Sequence, residues 1–119
     1  MIIILRQDDI ERLNVARKII ETDFKSHYTI EQLAQKVGLG GSKFKSGFRQ
    51  LFNVSPYKLL TEIRIEKAKD ILECKEYAVK CIAGKVGFSD VSTFIKSFKR
   101  ITGISPSEWR KSAKTKVPV

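Results

Sequence analysis

Apolar residues recur with a helical period along most of the chain. Ile10, Leu13, Ala16, Ile19, Ile20 and Phe24 predict a first helix, with Asp8 or Asp9 as its N-cap. Thr29 and Gln32 stand at capping-box spacing before the stripe Ile30, Leu33, Ala34 and Val37, and Gly38 stops this second helix. From Ser42, Phe44, Phe48, Leu51 and Phe52 give a third, closed by Asn53, a residue type that tolerates the left-handed conformation. Ser55 and Pro56 open a much longer helix, in which Leu59, Leu60, Ile63, Ile65, Ala68, Ile71 and Leu72 keep helical spacing to about Cys74. Val79, Ile82, Ala83 and Val86 form a fifth that stops at Gly87. Asp90 then caps a sixth, with Phe94, Phe98 and Ile101 inward and Gly103 at its end, and Ser105-Pro106 starts a short seventh through Trp109. No stretch alternates with a period of two for long enough to make a sheet, so the expected fold class is all-α with about seven helices. The closing KSAKTKVPV is polar and expected to fray, and the opening MIIIL is expected to be a strand or a linker.

This pattern is written twice. Ala34 and Gly38 correspond to Ala83 and Gly87 at an offset of 49, whereas Phe44, Phe48, Leu51, Val54, Ser55 and Pro56 correspond to Phe94, Phe98, Ile101, Ile104, Ser105 and Pro106 at an offset of 50. The second turn therefore carries one extra residue. Each copy reads helix, glycine turn, helix, with a small alanine where two helices cross closely, which is the helix-turn-helix unit. The expected organisation is an N-terminal segment (1–7), a first subdomain (8–55), a linker helix (56–75), a second subdomain (76–112) and a tail (113–119). The linker helix, about 19 residues at ~1.5 Å each, spans roughly 28 Å, close to one turn of DNA. That length suits a strut presenting two reading helices to successive major grooves.

Charge separates the copies from what precedes them. The 119 residues hold 23 Lys and Arg against 13 Asp and Glu, a formal net charge of +10. Residues 1–40 are balanced at six and six, so the whole excess follows residue 40. A basic surface of this kind suits a polyanion. In a helix-turn-helix unit the second helix enters the major groove, so its outer face should carry donors and no acids. With the phenylalanines inward, the third helix turns out Ser42, Lys45, Ser46, Arg49 and Gln50, and the sixth turns out Ser92, Ile95, Lys96, Lys99 and Arg100. No acid lies between Gly38 and Leu60, or between Asp90 and Gly103. Ser42, Lys45, Ser46, Arg49, Ser92, Ile95 and Lys96 are the expected base readers; Lys43, Gln50, Thr93, Lys99 and Arg100 are expected on the DNA backbone. Ile95 is open to two readings, a thymine-methyl contact or a flank of the core.

The second copy, IAGKVGFSDVSTFIKSFKRITGISPSEWR, resembles the signature of the AraC/XylS transcription regulators almost position for position, and LAQKVGL, Phe48 and LLTEIRIEKAKDIL extend the resemblance to about residues 10–112. The chain departs from that pattern at Gly40-Gly41 and at Asn53. The resemblance implies the DNA-binding module of a cytoplasmic bacterial regulator, with double-stranded DNA and RNA polymerase as partners and an N-terminal sensory domain in the full-length protein. In the family, residues matching Ser42, Lys45, Ser46, Ser92 and Lys96 approach bases. A single chain carrying two unequal reading heads is expected to bind as a monomer.

Other classes fit less well. The single His27 has no carboxylate pair, nucleophile motif or phosphate loop with it, so no enzyme, cofactor or metal site is expected. Cys74 and Cys81 form no disulfide framework and are expected as buried or partly exposed thiols. MIIIL is too short for a membrane span. The alternative is a basic helical module gripping an acidic protein. Single-strand binding is disfavoured because the phenylalanines sit at core spacing and are not free to stack on bases.

Overall fold

The computed structural model describes residues 2–115 as seven α-helices: α1 (Gln7–Thr22), α2 (Ile30–Val37), α3 (Gly41–Phe52), α4 (Pro56–Cys74), α5 (Val79–Lys85), α6 (Val91–Thr102) and α7 (Pro106–Thr115). No strand occurs among the described residues. The helices divide into two compact units, the first ending at Leu60 and the second beginning at Thr61, within α4. In the first, α1, α2 and α3 pack mutually; in the second, α6 packs on both α5 and α7.

Each unit has its own core. Leu13, Ala16 and Ile20 of α1 meet Leu33, Ala34 and Val37 of α2 and the fully buried Phe44 and Phe48 of α3. In the second unit Ile65, Ala68 and Leu72 of α4 are buried with Ile82, Ala83, Val86, Phe94 and Phe98. The paired rings match across the repeat, with centroids 5.8 Å apart for Phe44 and Phe48 and 5.9 Å apart for Phe94 and Phe98. Ala34 and Ala83 are each 2 % exposed, as the close helix crossing requires.

Backbone hydrogen bonds repeat as well. Leu39 donates to the Ala34 carbonyl and Phe88 to that of Ala83, both at 2.9 Å, closing the end of the first helix of each pair over a glycine of positive φ, Gly38 or Gly87. The turn into α6 (86–90) is two residues longer than the turn into α3 (38–40), one from the inserted residue and one because α5 ends a position earlier relative to its glycine. Ser55 and Ser105 each accept the backbone N–H three residues on, from Lys58 and Glu108, and so cap α4 and α7 ahead of their first-position prolines.

Four local expectations are corrected. Neither Asp8 nor Asp9 is the N-cap of α1; Arg6 is, and the carboxylate of Asp9 reaches back to accept its backbone N–H at 3.0 Å. α3 starts at Gly41, with Gly40 as its cap, and not at Ser42. Ile101, expected inward, is 37 % exposed; the Trp109 ring instead meets Phe98 edge-on at 5.8 Å. α7 continues to Thr115 because its side chains are tethered to the end of α4 and the loop after it: Trp109 Nε1 donates to Glu73 at 3.1 Å, Arg110 to the Tyr77 carbonyl, and Lys114 pairs with Glu76 at 2.9 Å. The rest of the expected frayed tail, residues 116–119, lies outside the described residues. None of the described helices is long and apolar enough to cross a membrane. Cys74 and Cys81 are both exposed free thiols.

Candidate nucleic-acid interface

α3 and α6 are amphipathic, with their phenylalanines buried and their opposite faces open. On α3, Ser42, Lys45 and Arg49 are exposed and Ser46 is half-buried. Lys45, Ser46 and Arg49 line an open groove of about 340 Å³ together with Pro56 and Tyr57 from the start of α4. Tyr57 is 66 % exposed beside these cations, and sequence reasoning passed over it. The available signal was its place directly after the helix-opening Pro56, one turn beyond the third helix. On α6, Ser92, Lys96, Lys99 and Arg100 are exposed. Ile95 is half-buried, so part of its side chain remains on that face.

Three residues expected on the DNA backbone already hold protein partners. Lys43 places its ammonium 3.1 Å from Asp9 of α1. The Arg6 backbone N–H, and after it this ammonium, hold the Asp9 carboxyl below its ordinary range. Gln50 binds the backbone of Ile3 with both ends of its amide: it accepts the Ile3 N–H at 2.7 Å and donates to the Ile3 carbonyl at 2.8 Å. The Thr93 hydroxyl donates to Asp90 at 2.6 Å, and its backbone N–H donates to the same carboxylate at 2.9 Å. The hydroxyl first, and then the amide, lower the Asp90 pKa. Helical period separates an outer face from an inner one but does not reveal a partner such as Ile3, 47 residues away. Ser42, Lys45, Ser46 and Arg49 on α3, and Ser92, Lys96, Lys99 and Arg100 on α6, therefore make up the cationic faces, with no carboxylate on either helix.

A family model described as a helix-turn-helix domain matches residues 33–112. The raffinose operon transcriptional regulatory protein RafR of Pediococcus pentosaceus is 39% identical over 102 residues, covering 86% of this chain and 37% of RafR. The chain belongs to the AraC-type helix-turn-helix family. Among solved structures, the C-terminal domain of AraT, a response regulator from Geobacillus stearothermophilus, is similar at a TM-score of 0.81 with 29% identity, covering 85% of this chain and 84% of that one. The DNA-binding domain of AdpA, a global transcriptional factor solved in complex with a target DNA, is similar at a TM-score of 0.84 with 25% identity, covering 90% and 96%. This AraC-type chain thus spans little more than a third of the length of RafR. The match of the family model runs from within α2 into α7 and so includes both α3 and α6.

Proposed function

We propose that the chain binds double-stranded DNA in a sequence-specific manner, with α3 and α6 as its two reading helices, as the DNA-binding module of a bacterial transcription regulator. The observation that carries this reading is that the two helices that occupy the reading position of their units each present exposed cations and serines with no acid among them. Its likeness to the AdpA domain, solved on DNA, supports the same reading.

The residue roles belong to this proposal. Lys45, Arg49 and Lys96 donate to guanine, Ser42, Ser46 and Ser92 to either purine or pyrimidine edges, and Ile95 meets a thymine methyl. Lys99 and Arg100 bind phosphates and set register. Lys43, Gln50 and Thr93 reach the backbone only by leaving Asp9, Ile3 and Asp90. Because the two faces differ in sequence, the bound site is asymmetric and one chain suffices. Regulation through RNA polymerase in the cytoplasm, under control of a sensory domain, is the corresponding role of the longer protein.

Selection of bound duplexes from a random library tests this directly. An asymmetric motif, bound by one chain in sedimentation, is expected. A palindromic motif with two chains bound would overturn the monomer reading, and failure to enrich any motif would overturn sequence reading altogether.

A further inference from the structure

Residues 2–5 precede α1 outside any regular element, and their burial alternates. Ile2 and Ile4 are 90 % and 87 % exposed, whereas Ile3 and Leu5 are half-buried. The inward pair lies over Gly47, the one buried glycine of α3. A Cβ there would stand 3.1 Å from Leu5 Cδ2 and from Leu13 Cδ1, and 3.8 Å from Ile3 Cδ1. One turn along, the Gln50 amide exchanges two hydrogen bonds with the Ile3 backbone, 2.7 and 2.8 Å, as a neighbouring strand would. One turn back, Lys43 pairs with Asp9, which also takes the Arg6 N–H.

Lys43, Gly47 and Gln50 follow one another at helical spacings of four and three, so they form one row along α3. That row lies between the buried phenylalanines and the face carrying Ser42, Ser46 and Arg49. Rotating α3 about its axis would have to break contacts at three successive turns of this row. The core alone fixes roll less tightly, because rings can tilt and repack.

We infer that residues 2–5 act as a strap that sets the roll of α3, and that Gln50 is a positioning residue for base reading by the first unit and not a DNA contact. This rests on the reading of α3 as a base-reading helix. The small side of Gly47 is what lets Ile3 and Leu5 lie close enough for Gln50 to reach the backbone. Strap and reading face share a helix, so a change at residues 2–5 is felt as loss of specificity in one half of the DNA site.

The test uses the 119-residue chain, Gln50→Ala, Ile3→Pro and the double variant, with the selected duplex and versions scrambled in one half or the other. Ile3→Pro removes the N–H given to Gln50 and the side chain lying over Gly47, keeps the carbonyl that accepts from Gln50, and leaves the sequence of α3 unchanged. Each single variant should lose about fivefold in affinity for the selected duplex, the net worth of about one hydrogen bond, and the double variant no more than the weaker-binding single. Affinity for the duplex scrambled in the α3 half, and the salt slope, should stay as in the parent. Thermal melting and discrimination in the α6 half report that both units remain folded. If Ile3→Pro binds like the parent, or Gln50→Ala weakens the selected duplex and the duplex scrambled in the α3 half equally, Gln50 grips the DNA backbone and the strap is wrong. Amide exchange without DNA separates this from failure of the DNA reading. The Ile3 N–H should be protected in the parent and unprotected in Gln50→Ala, and exchange at the free-chain rate in the parent would overturn the strap on its own. A parent that does not discriminate the duplexes sinks the role of α3 as a reader, even where Ile3 is protected.

Discussion

The two reading helices reach similar ends by different means. α6 is specified by its own neighbours: Asp90 caps it with two hydrogen bonds from Thr93, and Gly103 closes it at φ 90°. α3 begins with Gly40 and Gly41 and has no side-chain cap. Its order comes instead from contacts distant in sequence, through Asp9, Leu5 and Ile3. A locally capped helix keeps its start whatever happens elsewhere, whereas α3 depends on a segment some forty residues away. Specificity in the two halves of the DNA site should therefore respond to different perturbations.

The largest effect is expected where the units are most alike. Ala34 and Ala83 occupy the same crossing, and replacing either by Leu overpacks it at a cost of roughly 1 to 3 kcal/mol. Thermal melting of Ala34→Leu and Ala83→Leu should show losses of similar size, each with lost DNA binding. An Ala83→Leu variant that melts like the parent yet fails to bind would place Ala83 in the interface and break the equivalence of the two crossings.

Next comes the division between reading and gripping within α6. Lys96→Ala should cost about 1 to 3 kcal/mol on the selected duplex and much less on a scrambled one. Arg100→Ala should weaken both and lower the salt slope by about 0.9. Titrations at several salt concentrations distinguish them. Equal losses on both duplexes for Lys96→Ala would leave Ser92 and Ile95 as the readers of that half.

Asp90→Ala removes the N-cap, so thermal melting should show a loss of stability smaller than that of the alanine-to-leucine variants, and the α6 half of the site alone should be impaired. The same cap supplies a pH dependence. The Thr93 hydrogen bonds depress the Asp90 pKa in the folded chain, so their stabilisation is fully present above the ordinary value of 3.8 and is lost as pH falls through the lower folded value. Asp9, depressed by Arg6 and Lys43, behaves in the same sense. Acid titration of chemical shifts should show both carboxylates ionised below pH 3.8, with protonation of Asp9 loosening α3 and that of Asp90 loosening α6. An acid transition that frees the Thr93 amide while leaving the Asp90 carboxylate ionised would detach the cap from the titration.

What could be read from the sequence follows the same division. α4 appears with the bounds its periodicity and Ser55-Pro56 predict, and Thr29, Asp90 and Gly103 cap where they should. Those signals are local, set by residues within one turn of the helix end. The start of α1 and the length of α7 differ from the expectation, and the protein partners of Lys43, Gln50 and Thr93 were not foreseen. For α7 and Gln50 the deciding contacts are 33 to 47 residues distant. For Thr93 the partner was in view, since the capping Asp90 is three residues away and takes its hydroxyl. Helical period located the faces and the family resemblance agreed with them, but charge and period do not say which polar side chain is already taken.

The smallest expected effect would sharpen the comparison most. Gly41 is the first residue of α3, and a Cβ built there meets nothing within 4 Å. Its φ is not positive, so alanine fits the native backbone. Gly41→Ala should raise stability by about 0.4 to 1 kcal/mol, chiefly by reducing the freedom of the unfolded chain, and the gain should appear as slower amide exchange in the first turns of α3. The consequence for the strap is more telling than the gain itself. If α3 needs residues 2–5 because its own start is weak, then Ile3→Pro should loosen the first turns of α3 less in a Gly41→Ala background than in the parent. If the strap fixes roll and not helicity, Gly41→Ala should restore exchange protection but leave the loss of DNA discrimination unchanged. Measuring exchange and discrimination on the same two backgrounds separates helix formation from helix orientation, and the strap proposal requires that they part.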